Sequence, residues 1–129
     1  MHFVQMLCRA AQINGNSRAI KDGSIERSWV EVEDRVARLA GALKAREVGE
    51  GDRVAILALN SSRYYEAQFA IGSADAVATP LNTRLAPDEI DFILTDSGAA
   101  HLLVDKTFVP MLAALKCARS MRSSLSARM

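Results

Sequence analysis

The chain has 129 residues, half of them apolar and 24% charged, and carries a net charge of +1. That length suits one globular domain with its own core, while a net charge near zero provides no global field to gather nucleic acid, anionic membrane or acidic substrate. Aromatic residues make up only 5% of the chain, too few for a row of base-stacking platforms, so no nucleic-acid partner is expected.

At the N-terminus, MHFVQMLCRAAQ lacks the ordered basic, apolar and small-residue regions of a secretory signal. No apolar run approaches the roughly 20 residues of a membrane span, and a cytoplasmic protein is expected. Val4, Leu7 and Ala11 stand at helical spacing within residues 3–12, and INGNS breaks that helix. Arg18 to Ile20 and Ile25 to Ser28 flank Lys21-Asp22-Gly23-Ser24, a hairpin signal. Its strands are short and half polar, so the hairpin should stand outside any main sheet.

Ser28 and Glu31 then form a Ser-x-x-Glu capping box. The helix it opens carries Val32, Val36, Leu39, Ala40 and Leu43 on one stripe, with Glu31–Arg35 and Asp34–Arg38 as i, i+4 ion pairs outside. Gly49 and Gly51 are expected to end it and turn the chain. Arg53 to Leu59 is continuously apolar after its first residue, as befits a strand buried on both faces.

Asn60, Ser61 and Ser62 offer an N-cap for a helix reaching about Ala74, with Tyr65, Phe69 and Ala70 inward. A second strand spans Ala76 to Leu81, where Pro80 lacks a ladder donor and belongs at the strand's very end. Pro87 opens the next helix, Asp88 and Glu89 favour its N-terminal dipole, Ile90, Ile93 and Leu94 face inward, and Gly98 fits the C′ position. Ala100 to Val104 reads as a third buried strand and Pro110 to about Cys117 as a further helix. Residues 117–129, CARSMRSSLSARM, hold three arginines, four serines and no acid; such a segment buries little and is expected as a disordered basic tail.

Strands alternating with helices imply a parallel α/β sheet. The expected fold is a partial flavodoxin-like parallel sheet with covering helices plus the N-terminal hairpin, spanning residues 1–116 as one lobe.

The motifs of catalysis are missing. The chain contains no G-x-x-x-x-G-K-[ST], G-x-G-x-x-G or G-x-S-x-G. Gly72-Ser73-Ala74-Asp75 falls at a helix end before a strand, which is not the turn a nucleophile needs. Asp88, Glu89 and Asp91 cluster on a first helical turn, where the dipole explains them. Asp105 ends a strand at the sheet's carboxyl edge, where open α/β folds bind ligands, but the first strand ends in Leu59-Asn60 and gives it no companion acid. Cys8, Cys117, His2 and His101 show neither metal-ligand nor disulfide spacing.

Taken in order, the Ser-Trp-x-Glu helix entry, Arg35-Val36-Ala37-Arg38-Leu39-Ala40, GDRVAILALNS, NS-x-x-Y-x-E, Tyr65-x-x-x-Phe69-Ala70, PLNTRL, Glu89-Ile90, Ile93-Leu94 and Asp96-Ser97-Gly98 resemble the opening of the acyl-adenylate-forming enzymes, the AMP-binding acyl-CoA synthetases and their relatives. The resemblance runs from about Ala11 to Leu115 and is most similar to fatty-acyl or medium-chain synthetases. It implies activation of a carboxylate with Mg-ATP, release of pyrophosphate and transfer to coenzyme A. The family's Ser/Thr/Gly-rich phosphate loop, Thr-Glu pair, ribose-binding Asp and C-terminal Lys have no counterpart in these residues, so no catalytic, nucleotide-binding or metal residue is carried over.

The sequence departs from the family at Asp75, where relatives place Gly, and after Leu115, where the Arg/Ser tail replaces their next strand. The leading expectation is a truncated N-terminal lobe, inactive alone and without a cofactor of its own. It would associate with itself or with a complementary chain through exposed apolar sheet surface. The alternatives are an interaction module or split subunit that pairs with a chain carrying the phosphate loop, and a small free-standing domain binding a nucleotide or flavin.

Overall fold

A computed structural model of the chain describes residues 3–117, 121 and 123–125. The chain sorts into two compact units: Met1–Gly49 with Asn60–Asp75, and Glu50–Leu59 with Ala76–Met129.

The first unit holds α1 (Phe3–Asn14), the hairpin β1 (Arg18–Asp22) and β2 (Ile25–Ser28), α2 (Trp29–Lys44) and α3 (Ser62–Ser73). The hairpin forms a two-stranded antiparallel sheet of its own, with Asp22 opposite Ile25 across the turn. Helix α1 buries Leu7 and Ala11 and stacks Phe3 on Phe69 of α3 at 4.3 Å. At the head of α2 the capping box is complete: Ser28 N donates to Glu31 Oε2 at 2.6 Å, and Glu31 N to Ser28 Oγ at 3.3 Å. Val32, Val36, Ala40 and Leu43 are buried, as the stripe requires, and Leu39 is half-buried.

Two expectations for α2 are corrected. Asp34 and Arg38 do pair at 2.8 Å, but Glu31 is engaged by the capping box and Arg35 turns instead to Glu66 of α3. Arg35 Nε and Nη2 donate to the two Glu66 oxygens at 2.8 and 2.9 Å. The left-handed residue after the helix is Glu47, φ 64°, rather than a glycine; Gly51, φ 77°, makes only the later turn into the next strand.

In the second unit a parallel sheet has the order β4-β3-β5-β6, from β3 (Arg53–Leu57), β4 (Val77–Pro80), β5 (His101–Val104) and β6 (Ser123–Leu125). Every residue from Val54 to Ala58 and from His101 to Val104 is buried, the two-faced burial that continuous apolarity announced. Helix α4 (Pro87–Ser97) packs Ile90 and Leu94 on Ala55, Leu57, Leu102 and Val104, and Leu115 completes that core. Glu89 Oε2 accepts from Ala86 N at 2.8 Å, and Gly98 ends the helix at φ 64°, ψ 30°.

Asp91, expected as a first-turn acid explained by the helix dipole, is buried. Its two oxygens accept from Lys116 N at 2.8 Å and Cys117 N at 3.0 Å, fastening the chain after Leu115 to α4. The helix expected from Pro110 to Cys117 is a 3₁₀ helix over Lys106–Ala114, with Pro110 inside it. A ring nitrogen that cannot donate is compatible with this tighter, shorter turn structure. Within residues 117–129, expected as a tail without order, Ser123–Leu125 pairs parallel with His101–Leu103, because the outer edge of β5 presents a row of open backbone groups. Residues 118–120, 122 and 126–129 of that stretch lie outside the described residues.

Removing one partner of a fully buried ion pair costs about 3–5 kcal/mol. Because the Arg35 side chain is 39% exposed, Glu66→Gln is expected to cost less, roughly 2 kcal/mol, in urea unfolding. Asp34→Asn, which removes an exposed pair, should cost only a few tenths. Equal costs for the two variants would deny Glu66 its special place.

Candidate functional site

Ligands of open parallel sheets sit beyond the carboxyl ends of the strands. In the second unit that edge is formed by Ala58 and Leu59 after β3, Leu81 and Asn82 after β4, and Asp105 after β5. The ladder continues into it: Leu81 N donates to Ile56 O and Asp105 N to Leu57 O, both at 2.9 Å. Leu59 is exposed there and Leu81 buried. The edge is thus built as the fold demands, and its chemistry rests on its polar side chains.

Those side chains are engaged by their own loops. Asn82 Oδ1 accepts from Arg84 N at 3.0 Å, a turn closed by an amide side chain. Asp105 Oδ1 accepts from Thr107 N at 2.9 Å and from Thr107 Oγ1 at 3.1 Å, so it caps the 3₁₀ helix. Asp105 stands after β5 on the carboxyl edge, as expected. No group of three or more His, Cys, Asp or Glu side chains that could hold a metal ion occurs among the described residues, and His2 lies outside them.

Helix N-termini are the other ready anion sites, since their free amides and dipole attract phosphate. Here those of α2, α3 and α4 already hold a carboxylate of the chain. Glu31 takes Ser28 N at α2 and Glu89 takes Ala86 N at α4. At α3, Asp22 Oδ2 accepts from Ser62 N at 2.8 Å while Ser61 Oγ caps Tyr64 N at 3.2 Å. The amide of Ser62 holds the Asp22 carboxyl below its ordinary range, and the amide and hydroxyl of Ser28 do the same for Glu31. Burial pushes Asp91 up, but the Lys116 and Cys117 amides, the Cys117 thiol and the Lys116 charge outweigh it, so it too titrates low. A triphosphate brought to these termini would meet like charge instead of open donors, and the residues present do not fit one.

The most charge-dense buried feature lies elsewhere and escaped the sequence reading. Glu66, 4% exposed, is gripped by Arg35 and stands 3.3 Å from Arg27 Nε. It is the Glu of NS-x-x-Y-x-E, a pattern that gave no hint of what the carboxylate meets, since its partners lie 31 and 39 residues upstream in the chain. The arrangement joins three elements and leaves no open coordination for a substrate. Cys8 is less acidic than an ordinary thiol, because of the Glu33 carboxylate and then burial, which suits a quiet side chain rather than a nucleophile.

The sequence model described as "AMP-binding enzyme" matches residues 7–127. Among curated proteins the chain is 41% identical over 114 residues to a feruloyl-CoA synthase of Amycolatopsis, covering 88% of this chain and 23% of that one. It is 38% identical over 120 residues to a long-chain-fatty-acid–CoA ligase of Thermus thermophilus, with 90% and 22% covered. Among solved structures it superposes on a Mycobacterium tuberculosis fatty acyl CoA synthetase with a TM-score of 0.83 at 31% identity, covering 86% of this chain and 22% of that one. The chain therefore spans under a quarter of the length of these relatives.

The lowered carboxyls of Asp22, Glu31 and Asp91 give a signed pH dependence. A carboxyl whose folded pKa lies below its unfolded one contributes stability that is complete above the unfolded range, about pH 4, and is lost as pH falls through the folded value. The thermal midpoint should hold from neutral pH down to about pH 5 and drop below about pH 4. Asp22→Asn should lower the midpoint at neutral pH and flatten the acid decline. A variant as acid-sensitive as the parent chain would mean that this carboxylate does not hold the Ser62 amide.

Proposed function

Since the chain belongs to the AMP-binding enzyme family, we propose that it serves as the N-terminal α/β portion of an acid–CoA ligase whose adenylating groups lie outside these residues, and that alone it activates no acid. The observation that carries this reading is the filling of the α2, α3 and α4 N-termini by the chain's own carboxylates, beside a carboxyl edge whose Asn82 and Asp105 are engaged locally. The parent reaction would be ATP- and Mg-dependent conversion of a carboxylic acid to an acyl adenylate, then to an acyl-CoA. Fatty acids are the substrate class of choice, as in the name of the Thermus relative.

Adenylation needs a carboxylate oxygen and the α-phosphorus held in line, with cations on the departing pyrophosphate. This chain's part in that is mechanical. β3 and β5, buried on both faces, make a stiff floor from which loops after β3, β4 and β5 are launched at fixed positions. The cytoplasm is the compartment of this reading, one in which Cys8 and Cys117 stay as thiols.

Two measurements test it together. Pyrophosphate–ATP exchange by the 129-residue chain, with fatty and aromatic acids, should stay at background. Replacing the matching segment of the Thermus ligase by residues 7–117 should leave a folded enzyme with measurable exchange. Exchange by the short chain would refute the assignment of chemistry elsewhere, and a folded but silent chimera would refute the scaffold role.

A further inference from the structure

Charge is unevenly divided along this nearly neutral chain. Helix α4 carries Asp88, Glu89, Asp91 and Asp96 and no Lys or Arg. Residues 116–129 carry Lys116, Arg119, Arg122 and Arg128 and no acidic side chain. Asp91 is turned inward to the Lys116 and Cys117 amides, which leaves Asp88, Glu89 and Asp96 exposed on the outer face of α4. Among them stands Phe92, 70% exposed. With Leu85 and Ile93 it lines an open depression of about 430 Å³ rimmed by Asp88 and Glu89.

An aromatic anchor inside an acidic rim is complementary to a cationic segment that also offers apolar side chains. The structure already contains a small instance of that match, since Lys116 Nζ lies 3.4 Å from Asp88 Oδ1. In the same chain no described residue covers Phe92, and Ser123–Leu125 is held on the edge of β5. We propose that the acidic, aromatic face of α4 receives the arginine-bearing stretch after Cys117, with Arg119, Arg122 and Arg128, from a second copy of this chain. A net charge of +1 leaves little overall repulsion to oppose the contact. Because the two contacting surfaces differ, the association is head-to-tail and continues into an open series instead of closing as a dimer.

Sedimentation velocity of the full chain at rising protein concentration, at low and at high salt, tests this. Association should grow with concentration and weaken as salt screens the pairs. Phe92→Ser, with melting checked against the parent chain, should weaken it by about tenfold or more. So should joint replacement of Arg119, Arg122 and Arg128 by Ser. A chain that stays monomeric throughout overturns the proposal. Association that ignores salt and Phe92→Ser overturns it in favour of another apolar surface. Loss with Phe92→Ser but not with the arginine replacements overturns the basic stretch as the occupant.

Discussion

Glu66 is the side chain to which the first unit is most answerable. A carboxylate at 4% exposure loses several kcal/mol of hydration unless opposite charge and directed donors replace it. Arg35 supplies the two parallel hydrogen bonds that a guanidinium fork makes to a carboxylate, and Arg27 adds charge from β2 at 3.3 Å without an in-line bond. The pairing fixes more than itself. A lone two-stranded hairpin is marginal in water, and this one is tied to α3 at two places, through Arg27–Glu66 and through Asp22 on the Ser62 amide. Replacing Arg35 by Lys would keep the charge and lose the fork, so the position is specific in geometry as well as in sign.

The same habit of internal pairing governs what the fold can bind. Nucleotide-binding α/β folds leave helix N-termini open and line them with glycine, so that backbone amides reach phosphate oxygens. Here the amides at the heads of α2, α3 and α4 meet Glu31, Asp22 and Glu89, and Thr107 N meets Asp105 at the 3₁₀ helix. Each contact stabilises the local turn and adds negative charge where an anion would have to approach. A free-standing nucleotide or flavin domain is disfavoured on that ground, independently of motif counting. A scaffold for chemistry carried elsewhere is consistent with it.

How much of this could be read from sequence followed the range of each interaction. The capping box, the stripe of α2, Pro80 at the end of β4 and Gly98 at the end of α4 are local and were legible, and the α3 cap, Ser61, was one of the three neighbours Asn60, Ser61 and Ser62 offered for it. Asp75 was legible too. It stands where the family resemblance implies Gly, and its φ is 61°, a conformation Asp tolerates better than most residues. The misreadings were long-range. Arg35 has an acid four residues before it and chose Glu66 on another helix. Asp91 looked like one more first-turn acid, and periodicity gives no sign that residues 116 and 117 return to it. At the candidate site, the absence of a phosphate loop was plain from composition and spacing. That Asn82 and Asp105 are engaged by their own loops needed coordinates.

The two edges of the parallel sheet are managed differently, and this explains why a chain with two-faced strands can still end in a definite order. Val77 N donates to Asp52 O and Leu81 N to Ile56 O, so the intervening Pro80 turns its nitrogen away from β3. The donor that proline lacks is therefore missing from the outer side, where it would otherwise invite another strand, and no ladder bond is sacrificed. β5 has no such block, and its outer side takes Ser123–Leu125 in parallel register, His101 opposite Ser123. Burial on both faces makes β3 and β5 interior strands whatever follows them, and the imino acid on one side leaves the other as the direction in which the sheet extends.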